Sequence, residues 1–364
     1  MASLSKKTSV FQEKSDYFQK FISKDGDEYG LRFGKPKDAK NISRIFKEVY
    51  NYDYLTPLVY DLNCLQEELA KKNNFWFVGE LLETHEIAGT GLIEKKRYIA
   101  HAGKAVVKKK FQGIGVTTNI GAAGILTVIK MPEFNDVLRL DSEVRGTKVR
   151  IQKLIQNAKA LPFALIPGYL NYGDKRFYEI TNNTPFPSQK EEAAFLYSII
   201  FKKLWKLREK KIFMIENEDF VFFYNFVKNH TRQMNQDELI LEKQKSNKDY
   251  ELFGISRNFY EGIVNLYGYL KQKSLKNLLK TYNNWRIILW RIPTTKNGIS
   301  SMELAIEKGF NIVGYDIGFN NINWTLFDSV ILAYYPNRKF TSIEIDCLDL
   351  NKPLAKKIKE IFLL

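Results

Sequence analysis

The residues best equipped for chemistry lie between positions 101 and 118. Gln112-Gly113-Ile114-Gly115 stands between a β-forming run at 102–107 and a helix-forming run at 116–129. A strand that enters a helix through a short glycine turn makes an anion site. The first N–H groups of the helix lack intrahelical partners, and the peptide dipoles add partial positive charge there. Gly113 and Gly115 have no Cβ, so a phosphate can approach the main chain closely. The spacing is neither a GxxxxGK loop nor GxGxxG, which sets aside the two common nucleotide turns. Lys108, Lys109 and Lys110 precede the turn; they face bound phosphates or form a solvated run of charge. His101, in the strand that leads to the turn, is a proton carrier with an ordinary pKa of about 6.5.

The chain that positions these groups has 364 residues, 45% hydrophobic and 27% charged. That length exceeds the roughly 250–300 residues at which single cores stop growing, so two domains are expected. The apolar content excludes a wholly disordered chain. No apolar stretch approaches the roughly 18 residues of a membrane span. The first 28 residues are polar and carry no signal-peptide core. Cys64 and Cys347 cannot build a disulfide framework, which suits a reducing, cytoplasmic setting. His85, His101 and His230 are dispersed and no CxxC exists, so no metal site is expected. The formal net charge of +15 fits an anionic partner such as nucleic acid, a membrane surface, an acidic carrier protein or a phosphorylated cofactor; compositional drift toward Lys, Asn, Ile and Phe explains it equally.

Periodicity supplies the elements. An arm at 1–28 precedes a strand at 29–33. Helices follow near 38–50 and 63–71. Strands at 75–82 and 87–93 are joined through the polar residues 83–86. The run at 102–107, the glycine turn and the helix at 116–129 come next. A strand at 137–140, a helix at 148–157, a strand at 163–166 ended by Pro167-Gly168, and a strand at 193–201 complete a mixed α/β set.

In this context Gln112, Gly113 and Gly115 resemble the acyl-CoA signature of the GNAT N-acetyltransferase superfamily, which follows its fourth strand. Thr117 stands where that signature usually has Gly or Ala. Lys35-Pro36-Lys37-Asp38-Ala39 looks like the family's opening after its first strand. The resemblance covers residues 29–200. It implies a mixed central sheet of GNAT type in which the fourth and fifth strands splay apart around the donor's pantetheine arm. By position, Ala105, Val106 and Val107 offer main-chain groups to that arm. Gln112, Gly113, Ile114, Gly115, Val116, Thr117 and Thr118 cradle the pyrophosphate.

The C-terminal region echoes part of this order. A strand at 285–292, a helix at 299–308 and strands at 312–317 and 330–335 repeat the pattern of 137–201, with Gly309-Phe310 and Gly314-Tyr315 in comparable places. No glycine turn precedes Trp285. This resembles a second, degenerate GNAT-like α/β domain at 206–364 after a first domain at 29–205; a bespoke α/β domain is the alternative.

The resemblance implies acyl transfer to an amine. The family's base commonly sits on the fourth strand, near His101 here, with Glu80 and Glu143 as further candidates. The family's usual acid, a tyrosine on the helix after the fifth strand, is missing from 148–157; Tyr169 and Tyr172 are the nearest hydroxyls. Cys64 reads as structural. Strand alternation puts His101, Gly103 and Ala105 on one face and Ala102, Lys104 and Val106 on the other, unless a bulge shifts the phase. Tyr52, Asp53 and Tyr54, within a tyrosine-rich run at 50–60, form a wall of the acceptor groove or a packed loop, with Asp53 able to hold an ammonium. The expected donor is acetyl-CoA or a longer acyl-CoA, with carrier-protein-bound acyl groups compatible with the charge. The acceptor is an amine of a small molecule, peptide or protein. The second reading is a tandem protein of this superfamily that is tRNA-dependent or non-catalytic and binds nucleic acid through its basic surface.

Overall fold

Why the chain folds as it does is clearest at its two best-defined helices. Ala39, Ile42, Ile45 and Phe46 form one buried stripe of the helix Ala39–Tyr50. Val116–Val128 is apolar nearly all round and lies in the core, where a Cβ on Gly124 would come within 2.6 Å of the Phe77 ring. The computed structural model describes residues 16–180, 183–241 and 251–363.

In chain order the first half is β1 (Gln19–Ile22), β2 (Glu28–Phe33), α1 (Ala39–Tyr50), α2 (Leu62–Ala70), β3 (Asn74–Leu81), β4 (Glu86–Lys96), β5 (Ile99–Val107), α3 (Val116–Val128), β6 (Arg139–Arg145), α4 (Val149–Asn157), β7 (Leu161–Tyr172) and β8 (Lys190–Ile200). The second half is α5 (Lys202–Leu207), β9 (Lys211–Met214), α6 (Glu218–Lys228), β10 (Glu238–Leu241), β11 (Leu252–Asn258), β12 (Ile263–Tyr269), α7 (Gln272–Thr281), β13 (Ile287–Pro293), α8 (Gly298–Glu307), β14 (Asn311–Ile322), β15 (Thr325–Tyr334) and α9 (Lys352–Leu363). Thirteen strands form one sheet in the order β1-β2-β3-β4-β5-β6-β8-β7-β14-β15-β13-β12-β11, and β9 pairs with β10. Within that sheet only β5–β6 and β12–β13 are parallel, each joined through a helix as parallel pairing requires.

The sheet has two covered faces in its first half. Phe77, Ala100 and Val107 pack with Val116 and Ile120 of α3 on one side. Trp76, Val78, Leu92 and Val106 pack with Ile42 and Phe46 of α1 on the other. A third core runs through both halves of the chain and includes Phe163, Phe195, Trp290, Ile331 and Leu354. The halves meet where β7 and β14 touch at a single position, Gly314↔Ala164; a Cβ on Gly314 would lie 2.3 Å from that of Ala164. Helix α6 lies across both β7 and β14, and α9 packs on β7.

Three sequence expectations change. The arm at 1–28 includes an edge strand, β1, antiparallel to β2, while residues 1–15 lie outside the described residues. Pro167-Gly168 does not end a strand: β7 continues to Tyr172 through a register shift between Ile166 and Leu170, where a missing N–H is tolerated. The strand expected at 137–140 runs to Arg145, which puts Glu143 within it.

Candidate functional site

Two parallel strands that stop pairing create the site. β5 and β6 are in register at Ile99↔Arg139, Ala100↔Leu140 and His101↔Asp141 only. Over residues 102–107 the main chain of β5 has a strand partner on the β4 side alone. A slot with free main-chain groups therefore opens after His101 and leads to the glycine turn.

The turn is shaped for an anion. Gly113 and Gly115 have φ of 88° and 96°, and Gly115 is the residue before α3. A Cβ on Gly113 would meet nothing within 4 Å, and one on Gly115 only Asn119 Nδ2 at 3.7 Å. The space over the turn is thus open, while the positive φ favours glycine. Gln112 Nε2 donates to the Val107 carbonyl at 2.8 Å and ties the turn to β5. Gln112, Gly113 and Thr118 are exposed, and Ile114 and Thr117 half-buried. Val116 is buried, so it can serve only through its main chain. Lys108 and Lys110 each pair with Glu86 at 2.7 Å, so one carboxylate offsets half of their combined charge locally.

At the other end of the slot lies His101. Between Thr90↔Val106 and Leu92↔Gly103 one residue of β4, Gly91, opposes two of β5, Lys104 and Ala105, so β5 bulges at Lys104, whose φ is 51°. His101, Gly103 and Val106 consequently share the α1 face, and Val107 turns toward α3 with Ala100 and Ala102. The simple alternation expected beyond Gly103 is corrected by this bulge. His101 Nε2 contacts the Glu143 carboxylate. The two side chains are 34% and 30% exposed. Burial opposes the imidazolium, but the Glu143 charge and hydrogen bond prevail, so the His101 pKa lies above its ordinary value. Burial likewise opposes the carboxylate, yet His101 brings Glu143 down to about 2. Among the described residues Nδ1 has no partner. A Cβ on Gly103 would stand 3.3 Å from His101 Cε1 and 3.6 Å from Nδ1, so glycine keeps the space beside that nitrogen open.

The remaining candidates separate. Glu80 is buried two strands away from β5, where it accepts from Tyr17 Oη (2.7 Å) and Arg32 Nε (2.8 Å) and meets His85 Nδ1 (2.7 Å). Those contacts make it a tie between β2, β3 and the hairpin that follows. Tyr169 is half-buried, and burial and then the Glu143 charge raise its pKa well above the ordinary value. Tyr172 is buried, faces Tyr50 with 6.3 Å between ring centroids, and carries the Arg145 guanidinium 4.9 Å from its centroid. Tyr54 packs on Tyr50 at 4.9 Å and Phe46 at 4.7 Å, so it joins the same wall. Tyr52 lies apart under the Arg176 guanidinium, 3.3 Å from its centroid. Asp53 is exposed, and its carbonyl accepts from Gly173 N at 3.0 Å. Cys64 is exposed, and its hydrogen bond to Asp61 raises the thiol pKa, which disfavours a nucleophile.

Sequence reasoning missed Lys104, Arg139, Arg145, Arg291 and Asp316 on this face. Arg291 and Asp316 interrupt strongly apolar strands, and a charge in such a run was the available signal.

No protein-family model matches the chain, and no curated protein matches it. Among solved structures it is similar to the ribosomal-protein-S5-alanine acetyltransferase from Vibrio fischeri, at 16% identity and a TM-score of 0.38 over 50% of this chain and 98% of that one. It is also similar to an acetyltransferase of the GNAT family from Streptococcus pneumoniae, at 15% identity and a TM-score of 0.37 over 48% and 99% of the two chains. The ribosomal-protein-S18-alanine N-acetyltransferase from Escherichia coli matches at 13% identity and a TM-score of 0.34 over 47% and 93%. The chain's own geometry carries the conclusion: antiparallel strands β2 to β5, a parallel partner that parts at His101, and a glycine turn into α3. The N-terminal half of this protein has a mixed α/β sheet with the strand arrangement that the GNAT resemblance of its sequence implies.

Proposed function

We propose that this protein is an acyl-CoA-dependent N-acyltransferase that moves an acetyl or longer acyl group to an amine. The observation that supports this most is the slot between β5 and β6, which has the His101–Glu143 pair at one end and the open Gly113–Gly115 turn at the other. Acyl-CoA supplies an activated thioester when bound. The N–H groups of residues 113–118, at the start of α3, suit its phosphates, while Gln112 N–H donates to the Lys109 carbonyl. The side of Ala105, Val106 and Val107 that faces away from β4 suits its pantetheine amides, as an added strand would, apart from the Val107 carbonyl that Gln112 holds.

The chain's own residues then handle the acceptor. Neutral His101 takes a proton from the acceptor ammonium at Nδ1, where Gly103 leaves room. Its Nε2–H donates to Glu143, which fixes the tautomer and stabilises the imidazolium that results. Tyr169, with its raised pKa, keeps its proton near neutrality and acts as a hydrogen-bond donor rather than an acid. Tyr50, Tyr54 and Tyr172 wall the acceptor side.

We read 206–364 as a degenerate copy of 29–205. The strands β11-β12-β13-β15-β14 repeat the order β4-β5-β6-β8-β7 with the same senses of pairing. In the second set the slot is shut. β12 and β13 stay paired from Ile263↔Ile287 to Tyr267↔Arg291. Trp290 Nε1 donates to the Gly268 carbonyl at 2.9 Å, and Tyr269 Oη bonds Thr295 Oγ1 at 2.6 Å. Only Leu270 and Lys271 separate β12 from α7, so no glycine turn faces a phosphate.

Thermal denaturation tests the reading. Acetyl-CoA at 100 times its Kd should stabilise the fold by about 2.7 kcal/mol, and tRNA should not. A shift with tRNA and none with acetyl-CoA would favour a nucleic-acid-binding role.

A further inference from the structure

The His101 face does not end with the first half of the chain. Arg139 of β6 is wholly buried and donates to Asp141 (2.8 Å), Asp316 of β14 (2.6 Å) and the Ile317 carbonyl (2.7 Å). Tyr98 Oη donates to the Phe319 carbonyl at 3.2 Å. These contacts tie β14 to β6 and to the turn between β4 and β5, and Asp316 also meets Arg291 of β13. Its guanidinium sits 4.8 Å from the Phe319 ring centroid, and Phe319 in turn stacks on Tyr267.

Arg291 is poorly used where it stands. It donates from Nε to Asp316 at 3.3 Å and from Nη1 to Asn265 at 3.4 Å, both long. Arg139 holds the same Asp316 carboxylate at 2.6 Å and takes the larger share of it. Nη2 has no partner among the described residues. Three of the five N–H donors are therefore idle on a side chain that is only 11% exposed. A desolvated guanidinium with an unused fork is a receptor for a planar anion. Arg139 joins Asp141, the register partner of His101, to Asp316, and Arg291 reaches that same Asp316, so the guanidinium stands on the His101 side of the sheet.

We infer that Arg291 binds a carboxylate on the acceptor, which makes the substrate an amine that also bears a carboxylate, as an α-amino acid does. The nitrogen lies at His101 and the carboxylate on Nη1 and Nη2 of Arg291. This rests on the acyltransferase reading above and assigns the second half of the chain a part in choosing the acceptor.

Acylation of amino acids and of their decarboxylated amines (leucine against isoamylamine, for example) with acetyl-CoA tests it. The wild-type protein should prefer the carboxylate-bearing member by about 10–10²-fold in kcat/KM, mainly through KM. Arg291→Met should remove that preference, read as the ratio of kcat/KM on the two amines within the same protein. Arg291→Lys, which keeps the charge without the fork, should retain part of it. Acetyl-CoA affinity by calorimetry reports that each variant is folded. Equal kcat/KM on the two amines in the wild type, or a preference that survives Arg291→Met, overturns the inference while acetyl-CoA binding leaves the acyltransferase reading standing. A wild-type protein that binds no acetyl-CoA overturns both.

Discussion

Replacing Glu143 with Gln isolates what the carboxylate does for His101. The base form is neutral imidazole, and its pKa lies above the ordinary value because Glu143 outweighs burial. In the wild type kcat/KM therefore climbs with pH through that raised pKa and levels off above it. In Glu143→Gln, burial and the nearby Lys104 charge act against only the smaller pull of Asp141, so the limb moves to lower pH, below the ordinary value of about 6.5. About a third of each side chain meets water, so their attraction is screened and the shift is smaller than an enclosed pair would give. Removing the base itself with His101→Ala should cost about 10²–10⁴-fold in turnover, or about 2.7–5.4 kcal/mol of barrier. The assay is initial rate against pH with one acceptor for all three proteins, so that the acceptor's own titration cancels in the ratios. An unmoved limb in Glu143→Gln, or near-normal turnover in His101→Ala at neutral pH, would refute the assignment.

Two further outcomes follow from the same geometry. Gly115→Glu forces a side chain at φ of 96° and sets a carboxylate over the phosphate turn, so acetyl-CoA binding by calorimetry should vanish while circular dichroism stays native; tight binding would remove the role of the turn. Arg208 donates to Asp237 and Asp328, both fully buried, at 2.7 Å, so Arg208→Met should destabilise by about 3–5 kcal/mol in denaturant melts, and an unchanged midpoint would show that the pair is not needed.

Much of this site was legible in the sequence because its parts are local. The turn at Gln112–Gly115 and the helix after it need only neighbouring residues, and α3 begins at Val116 as periodicity predicts. What the sequence did not disclose depends on partners far along the chain. His101 and Glu143 are 42 residues apart and meet only because β5 and β6 run parallel. The bulge at Lys104 places a non-glycine residue at positive φ, which costs about 1–2 kcal/mol and has no local sequence mark. Glu80 looked free in sequence, but Arg32 and Tyr17 occupy it. Pro167-Gly168 looked like a strand end because a proline lacks the N–H of a regular ladder. Here it falls in a register shift, and its carbonyl accepts from Tyr335 Oη at 2.9 Å. The tie of β14 to β6 through Arg139 and Asp316, the carboxylate that Arg291 also reaches, follows from the contact between β7 and β14 and not from any local pattern.

The binding stoichiometry of acetyl-CoA on the full chain tests the central claim most directly. One open slot between β5 and β6 and one shut between β12 and β13 predict one acetyl-CoA per chain by calorimetry. Two per chain would contradict the closed second copy, and none would contradict the acyl-CoA slot itself.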